Sequence, residues 1–269
     1  MEKEMITSAQ NPKIKRLLQL QQKSSERRKH GLFVVEGQRE LMHCLNAGYD
    51  VETLFCCPDI AGEEEMERFS ALLPHGIDGV QCVNISKALY EKVAYRGSTE
   101  GIMAEMKVRH ATLDGLSLPD NPLIIVLESV EKPGNLGAVL RSADAAKADA
   151  VIVCDPLTDL FNPNLIRSSI GAVFTVPTVA CTSEECITFL KGRKIQILTA
   201  QLQDSRLYYD TPMTGATAIV MGTESTGLTG QWREAADAHI RIPMLGRLDS
   251  LNVSVSAAIL MFEAVRQRA

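Results

Sequence analysis

Residues 242–268 of the 269-residue chain, IPMLGRLDSLNVSVSAAILMFEAVRQR, decide its fold. The second half of this stretch predicts a helix, because apolar residues recur at steps of four and three at Leu251, Val255, Ala258, Phe262 and Val265. Other apolar residues extend this surface most of the way round, which predicts a helix buried between two layers. Its first turns are crowded with the polar residues Asp249, Ser250, Asn252, Ser254 and Ser256. That is more than N-capping needs, and it favours a ligand site at the start of the helix.

The rest of the chain alternates short apolar segments with amphipathic ones, in two runs. The first run predicts strands at 31–37, 51–57, 79–84 and 101–108 and helices at 8–22, 38–48, 63–73 and 86–94. The second predicts strands at 123–130, 150–155, 174–180, 194–200, 217–222 and 239–244 and helices at 135–147, 163–171, 183–191 and 229–237. We therefore expect a small α/β domain at 1–110, a Gly- and Pro-rich linker at 111–122, and an α/β domain with a mainly parallel sheet at 123–269.

The composition, 45% hydrophobic and 23% charged, is typical of a soluble globular protein. Without a run of about 18 apolar residues, and with a charged N-terminus, the chain is expected to have no membrane span and no signal peptide. Its seven cysteines include no C-x-x-C pair, and its five histidines are scattered. We therefore expect a cytoplasmic protein with reduced thiols and no metal site.

The net charge of -5 argues against a nucleic-acid partner, but the charge is unevenly distributed. Residues 1–30 carry eight Lys/Arg and three Glu, a local balance of +5. A basic segment on an acidic body favours contact with phosphates, although a solvated helix face would explain it equally well. The candidate RNA-binding residues in this segment are Lys13, Arg16, Arg28 and Lys29.

The first unusual loop of the second domain is PGNLGAVLRSADA at 133–145. It follows a predicted strand, at the edge where open parallel sheets bind ligands. Asn135 and Arg141 lie six residues apart in it, and we expect their side chains to be close neighbours. An ordinary helix start with a solvated arginine is the alternative when this loop is considered alone.

Two further loops carry residues suited to a cofactor. In VMGTESTGL at 220–228, Gly222 would let a ligand approach the backbone, and Glu224 would cap the next helix or orient a substrate. In the third loop, Ile242, Met244 and Leu251 flank Ser250 and Asn252. An apolar slot with polar groups beside it suits a purine-bearing cofactor.

Together, the motifs N-x-G-x-x-x-R, G-x-E-x-x-G-L, I-P-M and S-L-N-V-S resemble the SpoU (TrmH) family of RNA ribose 2'-O-methyltransferases over residues 123–269. The segment RSSIGAVF at 167–174 fits the same family. Ser225 is a departure, since many members have glycine after the motif glutamate. The first domain, with its SxxNPxIKxLxxL start and FVVEG strand, resembles the family's substrate-binding domain, which is similar to ribosomal protein L30e.

The resemblance implies S-adenosylmethionine bound in a C-terminal trefoil knot, a ribosomal or transfer RNA substrate, and a homodimer paired through the terminal helix. It implies cofactor contacts at Thr199, Gly222, Thr223, Ile242, Met244 and Leu251. It assigns Arg141 to the target nucleotide, and we expect Asn135, Glu224, Ser250 and Asn252 to hold Arg141, the ribose and the knot loops in register. Because a guanidinium holds its proton, we expect Arg141 to stabilise the forming alkoxide and to grip a phosphate.

Two other functions are compatible with parts of the pattern. A nicotinamide-dependent oxidoreductase would use PGNLG as its phosphate loop, but the G-x-G-x-x-G pattern is missing. A catalytically silent RNA-binding module on the same fold is the second alternative. The presence of Arg141, Glu224 and Asn252 argues against it.

Overall fold

The computed structural model describes residues 5–73, 76, 79–95, 100–223 and 226–269. The chain divides into two compact units. Unit 1 contains Met1–Arg109 and Phe161–Thr175, and unit 2 contains His110–Leu160 and Val176–Ala269. In the described part of the chain, no helix is long and apolar enough to cross a membrane.

The described part of unit 1 contains a mixed five-stranded sheet in the order β1-β4-β3-β5-β2. Its strands are β1 Met5–Ile6, β2 Leu32–Glu36, β3 Val51–Cys56, β4 Gln81–Ile85 and β5 Ile102–Lys107. The helices are α1 Pro12–Gln22, α2 Ser24–His30, α3 Gln38–Asn46, α4 Glu63–Leu72 and α5 Lys87–Val93. Strand β4 pairs in parallel with β1 and β3, whereas β5 pairs antiparallel with β2 and β3.

Helix α1 is a core element of unit 1 despite its basic residues. It begins after Asn11, whose side chain accepts a hydrogen bond from Lys13 N, and proline occupies the first helical position. Its apolar face, formed by Ile14, Leu17 and Leu20, is fully buried in the core. Removing residues 1–30 would therefore disrupt the packing of unit 1.

The segment Phe161–Thr175 contributes aromatic side chains to the core of unit 1. It contains α7 Pro163–Ser168 and α8 Ala172–Thr175. The Phe161 ring centroid lies 4.5 Å from that of Phe33, and the Phe174 centroid lies 5.4 Å from that of Tyr49. The prediction of a strand from residue 174 was wrong. Phe174 is helical, and the strand begins only after Pro177, which lacks the N–H that a sheet requires.

The described part of unit 2 contains a seven-stranded, all-parallel sheet in the order β10-β12-β9-β11-β6-β7-β8. Its strands are β6 Leu123–Glu128, β7 Ala150–Cys154, β8 Thr178–Cys181, β9 Gln196–Ala200, β10 Arg206–Leu207, β11 Thr217–Met221 and β12 Ala238–Arg241. The helices are α6 Pro133–Ala145, α9 Ser183–Gly192, α10 Gly230–Ala235 and α11 Val253–Arg268. The predicted α/β class and mainly parallel second sheet are confirmed, whereas the trefoil knot stays a prediction.

The terminal helix α11 buries a different face from the predicted one. Val253, Ala257, Leu260, Met261 and Ala264 are buried. Leu251, Val255 and Phe262, which were expected to be core residues, are 38%, 46% and 48% exposed. The helix has two apolar faces, and the one that contains Ala257, Leu260 and Ala264 is buried, on the side of α6 and β11. The periodicity was identified correctly, but the face assigned to the core was wrong.

Candidate cofactor cleft and active site

A cleft of about 630 Å³ opens at the carboxyl edge of the parallel sheet in unit 2. Because the strands are parallel, the segments that follow β9, β11 and β12 leave the sheet at this edge. The start of α11 completes the wall. Its apolar lining residues include Met221, Leu228, Ile242, Met244 and Leu251, and polar groups come from Thr223, Asp249, Ser250 and Asn252.

Gly222 is required by the loop that follows it. A Cβ atom at this position would lie 2.3 Å from the backbone carbon and oxygen of Gly227. Residues Thr223 and Gly227 form an isolated antiparallel bridge, and the hydroxyls of Thr223 and Thr226 are 2.7 Å apart. The loop thus folds back onto Gly222, so the close approach seen here is made by the chain itself. Glu224 and Ser225 lie outside the described residues.

Five of the six predicted cofactor residues line the cleft: Gly222, Thr223, Ile242, Met244 and Leu251. Thr199 does not line it. Its side chain is fully buried within the sheet, with Oγ1 2.6 Å from His239 Nδ1. The sequence analysis missed Gln201, which lines the cleft just after β9. Its Oε1 atom is buried and has no hydrogen-bond partner among the described residues.

Asn135 and Asn252 join the starts of α6 and α11. Asn252 Nδ2 donates a hydrogen bond of 3.2 Å to Asn135 Oδ1. Asn252 Oδ1 accepts from Ser254 N at 2.9 Å and from Ser254 Oγ at 2.6 Å, which makes it the N-cap of α11. The Ser250 hydroxyl donates to Asp249 Oδ1 at 3.2 Å, beside the cleft. The structure therefore brings together Asn135 and Asn252, which belong to two different sequence motifs.

Arg141 is exposed on α6 and has no hydrogen bond or ion pair with any described residue. The expectation that it neighbours Asn135 was wrong. Six helical steps rotate a side chain by about 600°, which leaves the two residues about 120° apart around the helix axis. Asn135 is half-buried against Asn252, while the Arg141 guanidinium remains free to bind a ligand.

Glu128 anchors the far end of the loop that follows β11, and sequence reasoning missed it. This carboxylate is 2% exposed and accepts hydrogen bonds from Thr229 N at 2.9 Å and Thr229 Oγ1 at 2.7 Å. Ser183 Oγ lies 3.4 Å from Glu128 Oε1 and accepts a hydrogen bond from Trp232 Nε1 at 3.0 Å. Thr229 follows Leu228 directly, so Glu128 fixes the point at which the loop leaves the cleft.

The four candidate RNA-binding residues have different environments. Arg16 forms an ion pair with the fully buried Glu105, and its Nη2 donates to Thr53 Oγ1 at 3.3 Å. Burial raises the pKa of the Glu105 carboxyl, against the opposing effect of Arg16. Lys13 is half-buried, whereas Arg28 and Lys29 are exposed on α2. Arg28 and Lys29 are therefore better placed for phosphate contact than Arg16, although Lys29 Nζ also lies 3.8 Å from Glu26 Oε2.

An all-parallel sheet with an apolar cleft at its carboxyl edge defines an α/β enzyme domain that binds a nucleotide-like cofactor. More specifically, the chain belongs to the SpoU rRNA Methylase family, whose model matches residues 122–262. The MRM3-like substrate binding domain matches residues 11–104. The chain is thus an RNA ribose 2'-O-methyltransferase. This result sets aside the nicotinamide-dependent alternative.

The similarity to known proteins extends over nearly the whole chain. The 23S rRNA (guanosine(2553)-2'-O)-methyltransferase RlmP of Bacillus subtilis (strain 168) is 30% identical over 258 residues, 96% of this chain and 97% of the relative. A crystal structure of an RNA 2'-O ribose methyltransferase is 38% identical, with a TM-score of 0.83 over 98% of this chain and 99% of that chain. AviRb from Streptomyces viridochromogenes, in complex with the cofactor AdoMet, is 25% identical, with a TM-score of 0.87 over 96% and 98%.

Proposed function

We propose that this enzyme transfers the methyl group of S-adenosylmethionine to a ribose 2'-hydroxyl of 23S ribosomal RNA. The observation that carries the proposal is the hydrogen bond between Asn135 and Asn252. It joins the helix that carries Arg141 to the segment that lines the cleft. Methylation of 23S rRNA is the activity that the name of the B. subtilis relative gives. An enzyme of ribosomal RNA would act in the cytoplasm.

The cleft fits S-adenosylmethionine in size and chemistry. Its volume lies within the roughly 300–1,000 Å³ of small-molecule sites, and its apolar walls suit an adenine ring. The buried Gln201 Oε1, which has no partner among the described residues, is an acceptor suited to an amino or hydroxyl group of the cofactor. When bound, the cofactor supplies a sulfonium methyl group that is already activated for transfer.

Arg141 would act on the RNA. Its guanidinium is exposed and has no partner among the described residues, so it can bind a phosphate and stabilise negative charge that forms on the ribose oxygen. Because arginine keeps its proton, the 2'-hydroxyl proton passes to another acceptor, for which we propose an RNA phosphate oxygen. Asn135 and Asn252 would hold α6 and the cleft segment in register. Glu224 and Ser250 remain proposed positioning residues.

Single-turnover methyl transfer by Arg141 variants tests this function. Arg141→Ala should lower the rate by about 10²–10³-fold, the effect of losing one oxyanion donor. Arg141→Lys should restore little of the rate, because the compact charge of a lysine ammonium does not replace the planar guanidinium with its several N–H donors. Cofactor affinity should stay within a few-fold of the wild-type value. Arg193→Ala, a change at an exposed arginine at the end of α9, is the matched control and should have little effect.

Loss of S-adenosylmethionine binding by Arg141→Ala, with normal turnover at saturating cofactor, would contradict the proposed role. In that case Arg141 would belong to the cofactor site. Activity that is undetectable in the wild-type enzyme on ribosomal RNA and on assembling ribosomal particles would instead support the silent RNA-binding alternative.

We also propose that the enzyme is a homodimer paired through α11. Val255 and Phe262 are exposed apolar residues on this helix, and Leu251, just before its N-cap, is exposed as well. Leu245 and Leu248, in the segment that leads to the cleft, are 96% and 77% exposed. Exposed apolar surface of this kind favours a protein interface. A second copy would cover it and border the cleft.

A further inference from the structure

Three cysteine side chains converge in unit 2, and none of them lines the cofactor cleft. Cys154 ends β7, Cys181 ends β8, and Cys186 lies in α9. Cys154 and Cys181 are register partners in the parallel sheet. The three sulfur atoms all lie within 4.8 Å of one another. This cluster has no signature in the sequence, because its members come from separate elements and form no C-x-x-C spacing.

The cluster combines a buried interior with one accessible thiol. Cys154 and Cys186 are fully buried, whereas Cys181 is half-buried. Hydrogen bonding from Cys154 and then Cys186 lowers the pKa of the Cys181 thiol, against the opposing effect of burial. The thiolate is the form of cysteine that binds metal ions, so binding of an ion would displace thiol protons.

We propose that Cys154, Cys181 and Cys186 form a binding site for one thiophilic divalent cation, with Zn²⁺ as the expected ion. Thiolate sulfurs bound to Zn²⁺ at about 2.3 Å in a tetrahedral arrangement lie roughly 3.8 Å apart. The observed limit of 4.8 Å requires a contraction of about 1 Å at most. Water that reaches the half-buried Cys181 supplies the fourth ligand.

The neighbouring carboxylate is not a ligand in this arrangement. Asp155 Oδ2 accepts hydrogen bonds from Ser183 N at 3.2 Å and Ser183 Oγ at 2.6 Å. A set of three thiolates with water selects a soft ion and disfavours Mg²⁺ or Ca²⁺. The competing explanation is that the three thiols are uncharged and only pack in the core, since cysteine is among the most buried residues in proteins.

Metal binding at this site would stabilise one edge of unit 2. Cys181 directly precedes Thr182, which caps α9 through a capping box with Glu185. An ion held by the three sulfurs would connect the ends of β7 and β8 to the first turn of that helix. Since the ion binds the folded state, it would raise the melting temperature of the protein.

The test uses full-length, reduced protein titrated with Cd²⁺, a probe whose sulfur-to-metal charge-transfer absorption counts bound thiolates. We expect the band to saturate at one equivalent of Cd²⁺, with an intensity that corresponds to three thiolates. An excess of Zn²⁺ should compete for the site and reduce the band. Protons should be released on binding, because each cysteine binds the ion as a thiolate. Cys181→Ser should weaken binding by more than about 100-fold, since loss of a mere outer-shell partner costs about 10–100-fold.

A second thiol pair supplies the matched control. Cys56 and Cys82 in unit 1 lie 3.9 Å apart, sulfur to sulfur. The double change Cys56→Ser and Cys82→Ser should leave the Cd²⁺ titration unchanged. Wild-type protein provides a readout that needs no variant: Zn²⁺ should protect Cys181 from alkylation, measured by peptide mass spectrometry.

Three results would overturn the proposal. They are an absent charge-transfer band, a band that survives Cys181→Ser, and a band that is lost in the Cys56/Cys82 variant. Equal alkylation of Cys181 with and without Zn²⁺ would also overturn it. In each case the three thiols would be packing residues only.

Discussion

Replacing Glu128 should loosen the sheet edge that supports the cofactor loop. Its carboxylate accepts two short hydrogen bonds from Thr229, at 2.9 and 2.7 Å. A hydrogen bond to a charged group contributes about 1.5–3 kcal/mol, and the lower value applies because Thr229 is exposed. Glu128→Ala should therefore lower the free energy of unfolding by about 3 kcal/mol. Glu128→Gln keeps an acceptor oxygen and should lower it by about 1 kcal/mol.

Urea unfolding followed by tryptophan fluorescence measures this effect in unit 2. The chain has one tryptophan, Trp232, whose indole donates to Ser183 within the same network. The midpoint should fall while the slope with urea stays constant, as for a change in stability alone. Glu234→Ala, at an exposed position on the neighbouring α10, should change stability by less than about 0.5 kcal/mol. If Glu128→Ala behaves like this control, the anchoring role is wrong.

Three further predictions concern the cofactor loop, the RNA surface and the dimer. Gly222→Ala should weaken S-adenosylmethionine binding in calorimetry, because its Cβ would meet the backbone of the following loop at 2.3 Å. Gly230→Ala, where a Cβ meets nothing within 4 Å, should leave this affinity unchanged. Equal cofactor affinities of the Gly222→Ala and Gly230→Ala variants would contradict the argument. Arg28→Glu with Lys29→Glu should weaken RNA binding and flatten its salt dependence, with cofactor affinity kept. An unchanged salt dependence of RNA binding would mean that these two residues face solvent and do not contact the RNA. Phe262→Asp should give a monomer in light scattering, and a wild-type monomer with full activity would refute the dimer.

Local sequence patterns predicted the helices and strands better than they predicted which elements each apolar face packs against. The apolar run of β6 is a strand buried on both faces, and the polar start of α11 lies at a cleft, as expected. The period of α11 was also recognised. Which of its two apolar faces packs inside the chain depends on α6 and β11, and sequence periodicity contains no information on them.

The contacts that the sequence analysis missed join residues distant in the chain. Glu128 belongs to a continuous apolar strand pattern, and only the strand order brings it to Thr229. The cysteine cluster arises in the same way from Cys154, Cys181 and Cys186. Arg16 was expected to contact RNA because it is basic, but Glu105 on β5 binds its guanidinium. The environments of these residues are determined by which strands and helices lie side by side in the folded protein.

Mapping of ribose 2'-O-methyl groups on 23S ribosomal RNA tests the central claim most directly. The RNA would come from cells that contain the wild-type enzyme, the Arg141→Ala variant at equal abundance, or no enzyme. The account predicts one methylated ribose that is present with the wild-type enzyme and absent or strongly depleted in the other two. An identical methylation map in all three would contradict it.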